Sequence, residues 1–464
     1  MWTARGRAAR PPLSCSDALS TRPGAAHRAR SLRGCAVGVR LGGARGLERR
    51  TRRGIRRLLD TRLATVAFYD GRARTLDALP IVDKATVRER FVDFNVPRVT
   101  LEQALAHATD AEERRDFRDE LPGGITVGLS SGTSGRPGVF LVSERERMLW
   151  AGTVLGRLLD SVSVRQLVTP WARPVRIAFA LRANSTLYEA VTSRRLRFGF
   201  VDLVAPFDEV RAAVQRVDPD VLVAPSTVLG ALAKAALETA EPGALHITPR
   251  LVIAVAEVLD DDTAALVLRA WGVRPRRVYQ ATEGLLALDC AHGNLHLNER
   301  HVHVEPEWLD LDERRFSPIV TDLTRTTQLV VRYRLDDVLR VPAEPVECPC
   351  GDPSLVLEAV EGRADETIVV ADGRGGEASV FPDAVRRALA VAGASDWSIR
   401  WGDGALELAL RDDRRETRTA AEWALERLFE TLRLPVPEIV AAAWRAPEAG
   451  AKTVRIRRKE RADV

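Results

Sequence analysis

The sequence lacks any apolar run long enough to cross a membrane. It has 464 residues, of which 45% are hydrophobic and 29% are charged, and no window approaches the roughly 18 consecutive apolar residues that a transmembrane helix requires. The first 30 residues also lack an apolar run of signal-peptide length. We therefore expect neither a membrane protein nor a secreted one, but a folded chain of about three domains.

Cysteine is scarce. The chain has five, which are Cys15, Cys35, Cys290, Cys348 and Cys350. These are too few and too unevenly spaced for a disulfide framework in a chain of this length, so we expect a protein of the reducing cytoplasm. Three of the five, Cys290, Cys348 and Cys350, lie in the later part of the chain, and such clustering is typical of a metal site.

Lysine is almost absent. The 69 basic side chains include four lysines, Lys84, Lys234, Lys452 and Lys459. Residues 1–57 hold fifteen arginines and two acidic residues, so this segment carries a net charge of +13. Since the whole chain carries +5, the remainder carries −8. An acidic body argues against a nucleic-acid surface that runs across the folded part.

Residues 1–45 are rich in Arg, Ala, Gly, Ser and Pro and have no sustained hydrophobic period, so we expect a disordered extension. The same composition resembles an organellar transit peptide. We favour an upstream extension without a role, because arginine dominates the whole chain. A nucleic-acid-binding protein that acts through this extension is a further hypothesis, which is weakened because Trp2 is the one aromatic residue there.

Beyond residue 45 the pattern becomes globular. Short apolar runs predict strands at 175–181, 221–224, 251–255 and 329–334, and helical segments alternate with them. Such alternation is typical of an α/β fold. We expect residues 46–362 to form one large domain of layered β-sheets and helices.

After Gly362 the order of the elements changes. The pattern predicts a helix, two strands, a helix and a strand, at 381–391, 397–401, 405–410, 418–432 and 438–443. This order predicts a small α+β domain at 363–464, which is a usual domain size.

Residues 128–138 combine glycines, hydroxyls and a cation. The positions concerned are Gly128, Ser130, Ser131, Gly132, Thr133, Ser134, Gly135, Arg136 and Gly138. Glycines let backbone N–H groups approach an anion closely, and hydroxyls can donate to phosphate oxygens. The segment is not of the Walker type, because it has no Gly-Lys-Ser/Thr tripeptide. We interpret it as a phosphate loop; a solvated Gly/Ser turn is the alternative.

Two later segments carry groups suited to the rest of a nucleotide. In 279–284 the Tyr279 ring can stack on a base, the Thr282 hydroxyl can reach a phosphate and the Glu283 carboxylate can hold Mg²⁺. In 333–337 a carboxylate just after a strand can accept the two ribose hydroxyls. An ordinary surface turn would have the same composition as 333–337.

Taken in order, these segments resemble the adenylate-forming enzymes, which include acyl-CoA synthetases, adenylation domains of peptide synthetases and luciferases. The chain is most similar to the phenylacetate-CoA ligase branch and to its relatives known as CoF synthetases, which adenylylate a deazaflavin coenzyme. The matching segments are 129–138, 181–188, 279–296, 321–337 and 348–351. The resemblance extends over about residues 79–458, whereas the first 70 residues show no family pattern.

The resemblance implies a place for each part of ATP. It implies that 130–135 hold the triphosphate, with Arg136 where many relatives have lysine, and that Ala256, Glu257 and Tyr279 surround the adenine. An arginine in place of lysine keeps the charge but changes the hydrogen-bond geometry.

The resemblance also implies the groups around the α-phosphate and the ribose. Thr282 would meet the α-phosphate, Glu283 would hold Mg²⁺, and Asp337 and Arg363 would approach the ribose. Asp365 would lie at the hinge about which the small domain moves.

The family also uses a lysine near the carboxyl terminus to stabilise charge on the α-phosphate and the departing pyrophosphate. Residues 450–455 match that segment best, which assigns the role to Lys452. Lys459 is the alternative, but it lies in an arginine-rich tail where a solvated side chain is expected.

Three cysteines and one histidine predict a second, structural metal site. The four are Cys290, His296, Cys348 and Cys350. Three thiolates and one imidazole make a closed tetrahedral zinc set, and some members of the phenylacetate-CoA ligase branch carry zinc at matching positions. Buried free cysteines with a surface histidine are the alternative. The spare candidates are His292, His301 and His303.

The leading hypothesis is an AMP-forming ligase. A carboxylic acid would attack the α-phosphate of Mg-ATP, and the resulting acyl-adenylate would pass its acyl group to a thiol, for which we expect CoA. A rival with the same ATP site would move AMP to a phenolic hydroxyl of a deazaflavin coenzyme. No protein nucleophile is needed, because positioning and charge stabilisation suffice.

Overall fold

The computed structural model describes residues 43–69, 75–114, 119–129, 138–181, 194–238, 244–312, 314–363, 366–394, 396–445 and 454–459. Within these residues, no helix is long and apolar enough to span a membrane. The extension expected at 1–45 lies mostly outside them, but helix α1 (Gly43–Arg57) begins within it. This helix thus begins three residues before residue 46, where the sequence predicted the large domain to start.

The residues after α1 form helical turns that pack into a hydrophobic core. The turns are Leu58–Arg62, Leu63–Thr65 and Ala67–Tyr69, and they are followed by α2 (Lys84–Glu89), the short turn Phe91–Asp93 and α3 (Leu101–Arg114). The Tyr69 hydroxyl donates to the carbonyl of Val331 at 3.1 Å. This first segment, in which the sequence showed no family pattern, therefore supplies side chains to the core of the body.

The largest sheet of the described residues has eight strands. These are β3 (Val175–Leu181), β4 (Leu196–Asp202), β5 (Val221–Ala224), β6 (Leu251–Ala254), β7 (Arg276–Ala281), β8 (Gly284–Asp289), β9 (Leu295–Leu297) and β14 (Val356–Leu357). Their order is β14-β9-β8-β7-β6-β5-β3-β4. Strands β3 to β7 pair in parallel, while β8, β9 and β14 extend the sheet in antiparallel fashion.

Helices cover both faces of this sheet. They are α4 (Glu144–Leu158), α5 (Ser161–Val168), α6 (Phe207–Val217), α7 (Ser226–Leu237) and α8 (Asp261–Trp271). Helix α4 packs on one face, and α6, α7 and α8 pack on the other. Every residue of β5 and β6 is buried, as expected for parallel strands covered on both sides. The carboxyl ends of parallel strands meet at one edge, where the loops after β5, β6 and β7 lie.

Two smaller sheets adjoin this body. Strands β1 (Ile125–Leu129) and β2 (Val139–Ser143) form a hairpin. The second sheet contains β10 (Val302–Asp310), β11 (Arg315–Asp322), β12 (Tyr333–Arg334), β13 (Asp337–Arg340) and β15 (Ala359–Arg363). The strand predicted at 329–334 is wrong in length, since β12 alone forms there. Arg332 has a φ of +47°, and a left-handed residue cannot continue a strand.

The carboxyl-terminal part has a hydrophobic core of its own. Its elements are the hairpin β16 (Ile368–Ala371) and β17 (Glu377–Val380), then α9 (Pro382–Val391), β18 (Trp397–Gly402), β19 (Ala405–Leu410), α10 (Arg415–Thr431), β20 (Glu438–Ala442) and β21 (Ile456–Arg458). The predicted α-β-β-α-β order is confirmed for α9 to β20. The hairpin and β21 were not predicted; β21 pairs in parallel with β18. The α/β class with a smaller α+β unit is likewise confirmed.

Candidate active site

Several predicted site residues lie outside the described part of the chain. They are Ser130, Ser131, Gly132, Thr133, Ser134, Gly135, Arg136, Asp365 and Lys452. The hairpin that carries the predicted phosphate loop is described, and it pairs Leu129 with Val139. A Cβ atom built on Gly128 would lie 4.0 Å from Cγ2 of Thr282. The base of the loop is therefore beside the residue predicted to meet the α-phosphate.

Tyr279 and Asp337 are in direct contact. Tyr279 lies on β7, and its hydroxyl donates to Oδ2 of Asp337 at 2.5 Å. Asp337 begins β13 and is paired in register with Arg363 on β15. The Arg363 guanidinium lies 3.3 Å from Oδ2 of Asp336. The structure thus brings together the three residues that the sequence predicted at the ribose and the base.

Glu283 lies in the turn between β7 and β8 and is 8% exposed. Its Oε2 atom accepts a hydrogen bond from the Thr282 hydroxyl at 3.1 Å, and its carboxylate also accepts one from the Tyr333 hydroxyl. Burial raises the pKa of Glu283, and the charge of Asp337 raises it further. A carboxylate buried near another one is stabilised by a cation, so Glu283 is suited to hold Mg²⁺.

Tyr333 makes a contact with Glu283 that the sequence did not predict. Its ring packs edge-on against Phe140 of β2, with centroids 6.0 Å apart. Burial raises its pKa, as does the charge of Glu283, so the phenol keeps its proton and donates. It therefore joins the hairpin of the predicted phosphate loop to the carboxylate of Glu283.

The turn after β6 holds the two other residues predicted near the adenine. Ala256 is exposed and has a φ of +65°, which is a left-handed conformation that favours glycine. The Glu257 carboxylate accepts hydrogen bonds at 2.9 Å from both the N–H and the hydroxyl of Thr227, in the first turn of α7. The Glu257 side chain thus fixes this turn to the first turn of α7.

The carboxyl-terminal core approaches the same edge. Arg455, just before β21, stacks over Trp397 with its guanidinium 5.2 Å from the ring centroid. Burial lowers the pKa of Arg455, Arg386 lowers it further, and Glu257 is among the acidic groups that oppose this shift. Arg455, which is three residues beyond Lys452 in sequence, is thus within electrostatic range of Glu257.

Lys84 interacts electrostatically with the same group of residues, which the sequence did not predict. It is the first residue of α2 and is partly buried. Besides Arg363 and Arg88, the charges that act on it are those of Asp336 and Glu283. The scarcity of lysine in this chain was the signal that could have drawn attention to it.

The four predicted zinc ligands come together, with all their ligand atoms within 4.8 Å of one another. The Sγ atoms of Cys290 and Cys348 are 3.6 Å apart, and Sγ of Cys350 is 3.4 Å from Nε2 of His296. Zn–S bonds of about 2.3 Å in a tetrahedron place two sulfurs about 3.8 Å apart. The spacing therefore fits a closed zinc site.

Neighbouring groups orient these ligands. The Nδ1 atom of His296 is 3.0 Å from the carbonyl of Ser354, which leaves Nε2 directed at the cluster. Each sulfur accepts an N–H group: Cys290 from His292, Cys348 from the Asn294 side chain and Cys350 from Asp352, at 3.3, 3.1 and 3.4 Å. Hydrogen-bonded outer groups of this kind are typical of metal sites.

The spare histidines are not among these ligands. His292 contributes its backbone N–H alone to the described cluster. Burial lowers the pKa of His301 to about 4, and its Nδ1 atom faces the Asn298 side chain. Burial also lowers the pKa of His303.

Comparison with protein-family models finds no match for this sequence, and comparison with curated proteins finds none either. Solved structures do match. A 2-hydroxyisobutyryl-CoA ligase in the postadenylation state, in complex with 2-HIB-AMP, is 15% identical over 98% of this chain and 94% of its own, with a TM-score of 0.56. The same ligase in complex with R3-HIB-AMP is 15% identical over 97% and 94%, with a TM-score of 0.57. At this identity the likeness concerns the fold, which this chain shares with the ligase over nearly its whole length.

Proposed function

We propose that this protein is an ATP-dependent, AMP-forming ligase that activates a carboxylic acid as an acyl-adenylate. The observation that carries the proposal is the cluster of Tyr279, Asp337 and Glu283 beside the hairpin of residues 125–143. Tyr279 offers a ring for the adenine, Asp337 an acceptor for the ribose hydroxyls and Glu283 a ligand for the metal of Mg-ATP. The fold of a ligase crystallised with an acyl-AMP supports the same reaction.

In this proposal the chain's own groups position the nucleotide and do not react with it. Asp337 accepts the ribose hydroxyls, Thr282 donates to the α-phosphate and the loop 130–136 surrounds the triphosphate. Magnesium held by Glu283 would supply charge neutralisation on the phosphates. Catalysis then rests on orientation and on electrostatic stabilisation of the developing charge.

We propose a thiol, with CoA as the leading candidate, as the acceptor of the acyl group. Support comes from the two solved structures above, both of which are of a CoA ligase. A phenolic hydroxyl of a deazaflavin gains no comparable support. The cysteine and histidine cluster has a structural role in this proposal, because a closed set of four ligands leaves no position for a substrate.

We also propose that Lys452 stabilises charge in the adenylation step alone, and that residues 363–464 turn about a hinge at Asp365 before acyl transfer. Support comes from Arg455, whose surroundings bring the segment after Lys452 near Glu257. The expected result is that Lys452→Ala abolishes adenylate formation but still lets a supplied acyl-adenylate react with the thiol. Equal loss of both half-reactions would count against the hinge, and full retention would move the role to Lys459.

The decisive experiment for the reaction class measures the products of ATP. Purified protein is screened for acid-dependent exchange of labelled pyrophosphate into ATP, with aryl, fatty and amino acids and a deazaflavin as acceptors of AMP. We expect AMP and pyrophosphate as products, and loss of most exchange in Glu283→Gln. The exposed Glu344→Gln variant is the charge-matched control. Acid-dependent release of ADP and phosphate would overturn the proposal.

A further inference from the structure

The segment that leads to Lys84 is fixed against the strand that carries Tyr333. Val82 and Tyr333 form a parallel β-bridge, in which the Val82 N–H donates to the carbonyl of Arg332 at 3.0 Å and the Arg334 N–H donates to the carbonyl of Val82 at 2.8 Å. The Arg332 guanidinium also donates to the carbonyls of Asp77 and Leu79. The backbone two residues before Lys84 is therefore held in register with the site.

The turn at Lys84 is fixed from its other side too. Asp83 caps α2 and accepts hydrogen bonds from the N–H and the hydroxyl of Thr86, at 2.8 and 2.7 Å. A residue held between a β-bridge and a capped turn has little freedom of backbone. The backbone at Lys84 is thus held in place by the body on both sides.

The charges around Lys84 belong to the proposed nucleotide site. The charges of Glu283, Arg363 and Asp336 act on Lys84. Glu283 is the proposed magnesium ligand, Arg363 is paired in register with Asp337, and Asp336 directly precedes Asp337 in sequence. Asp336 already has an ion pair with Arg363. Lys84 therefore lies within electrostatic range of both the ribose end and the metal end of the proposed site, between which the α-phosphate of a nucleotide would lie.

The use of lysine rather than arginine at position 84 also supports a phosphate contact. The chain uses lysine at four of 69 basic positions. Among the other three, Lys234 is exposed on α7, Lys459 pairs with Glu407 at 3.0 Å, and Lys452 lies outside the described residues. An ammonium is a compact point charge, whereas a guanidinium is a broad planar fork, so a crowded position beside a phosphate favours lysine.

We propose that Lys84 is a binding residue for the α-phosphate of the nucleotide. The inference rests on the proposed function, since it takes the site of Glu283 and Asp337 to be a nucleotide site. It adds a cation that lies before the phosphate loop in sequence and belongs to the same body as Glu283. That cation is independent of the segment that carries Lys452.

The test compares ligands that differ in one phosphate group. Isothermal titration gives the dissociation constants of adenosine, AMP and ATP for the wild-type protein and for Lys84→Gln. We expect AMP and ATP to bind about tenfold more weakly to the variant, as for the loss of one charge-assisted hydrogen bond, and adenosine to bind within about twofold of the wild type. Lys84→Arg should recover part of the affinity for AMP. Lys234→Gln is the charge-matched control and should change none of the three.

Each outcome has a distinct meaning. Unchanged binding of AMP to Lys84→Gln overturns the inference. This holds even if the binding of ATP is weakened, because Lys84 would then contact the β- or γ-phosphate. An equal loss for adenosine and AMP overturns it too, since Lys84 would then act through the fold. A wild-type protein that binds none of the three ligands overturns the proposed function itself, so the two failures are distinguishable.

Discussion

The hydroxyl of Tyr279 donates a hydrogen bond to Oδ2 of Asp337 across 2.5 Å, and so joins β7 to β13. Burial raises the pKa of Tyr279, and the charge of Asp337 raises it further, so the phenol remains protonated at neutral pH. One carboxylate oxygen of Asp337 is thereby oriented before any ligand arrives. Orientation in advance lowers the entropic cost of binding.

We predict that Asp337→Asn weakens the binding of AMP about tenfold, because a neutral amide is a poorer acceptor for the ribose hydroxyls. Binding of 2′,3′-dideoxy-AMP, which lacks those hydroxyls, should change little. Tyr279→Phe should weaken AMP binding about threefold, because it removes the orienting contact and keeps the acceptor. Titration calorimetry with both nucleotides measures these effects. If Asp337→Asn weakens both ligands equally, Asp337 does not meet the ribose.

The sequence predicted the interior strands well because their signal is local. The run at 175–181 is apolar and buried apart from Arg176 and the half-buried Leu181, the run at 221–224 is apolar and buried throughout, and the two match β3 and β5. The residues that complete the proposed site could not be predicted in this way. Tyr333 donates to Glu283, and the charge of Glu283 acts on Lys84. Both interactions join segments far apart in sequence, and hydrophobic periodicity carries no information about them.

The zinc ligands show what spacing alone can predict. The pair Cys348 and Cys350 forms a tight turn, closed by the Gly351 N–H on the carbonyl of Cys348, and that local geometry was visible in the sequence. The groups that hydrogen-bond to these ligands and orient them could not be predicted from the sequence. The contact of His296 with the carbonyl of Ser354 depends on the pairing of β9 with β14.

We predict about one zinc ion per chain in protein purified without chelator, as measured by elemental analysis. Cys348→Ser should lower the zinc content and the thermal unfolding temperature together, because binding of a structural metal contributes to folding free energy. Cys35→Ser, which changes a cysteine that is not a predicted ligand, is the control and should keep both the zinc content and the unfolding temperature. Metal-free protein that is fully folded and active would contradict the prediction.

Ala256 provides a test of the turn after β6. A left-handed backbone costs an L-residue about 1 to 2 kcal/mol, which glycine avoids, although glycine loses more entropy on folding. Since the Ala256 side chain is exposed, Ala256→Gly removes strain without loss of packing. We predict a gain of about 0.5 kcal/mol in unfolding free energy, measured by urea denaturation. The control Ala254→Gly, at a buried position of β6, should instead lose about 1 kcal/mol.

A buried glutamate connects the phosphate-loop hairpin to the strand region before Tyr333. Glu146 forms a capping box with Ser143 at the start of α4, and its second carboxylate oxygen accepts the N–H groups of Thr326 and Thr327. Burial alone would raise the pKa of Glu146. The positive charge of Arg325 and these backbone donors outweigh that effect, so the pKa is lowered.

The lowered pKa of Glu146 fixes the sign of a pH effect. A carboxyl whose pKa is lower in the folded state contributes stability above its unfolded pKa of about 4.3, and this contribution is lost as the pH falls through the folded value. We predict that Glu146→Gln lowers the unfolding free energy by about 3 kcal/mol at pH 7. The difference from wild type should shrink steadily below about pH 4.3. Urea denaturation at several pH values measures it, with the exposed Glu144→Gln variant of the same helical turn as control. A difference that stays constant down to the acid transition would show that shape and hydrogen bonding at this position matter, and the charge does not.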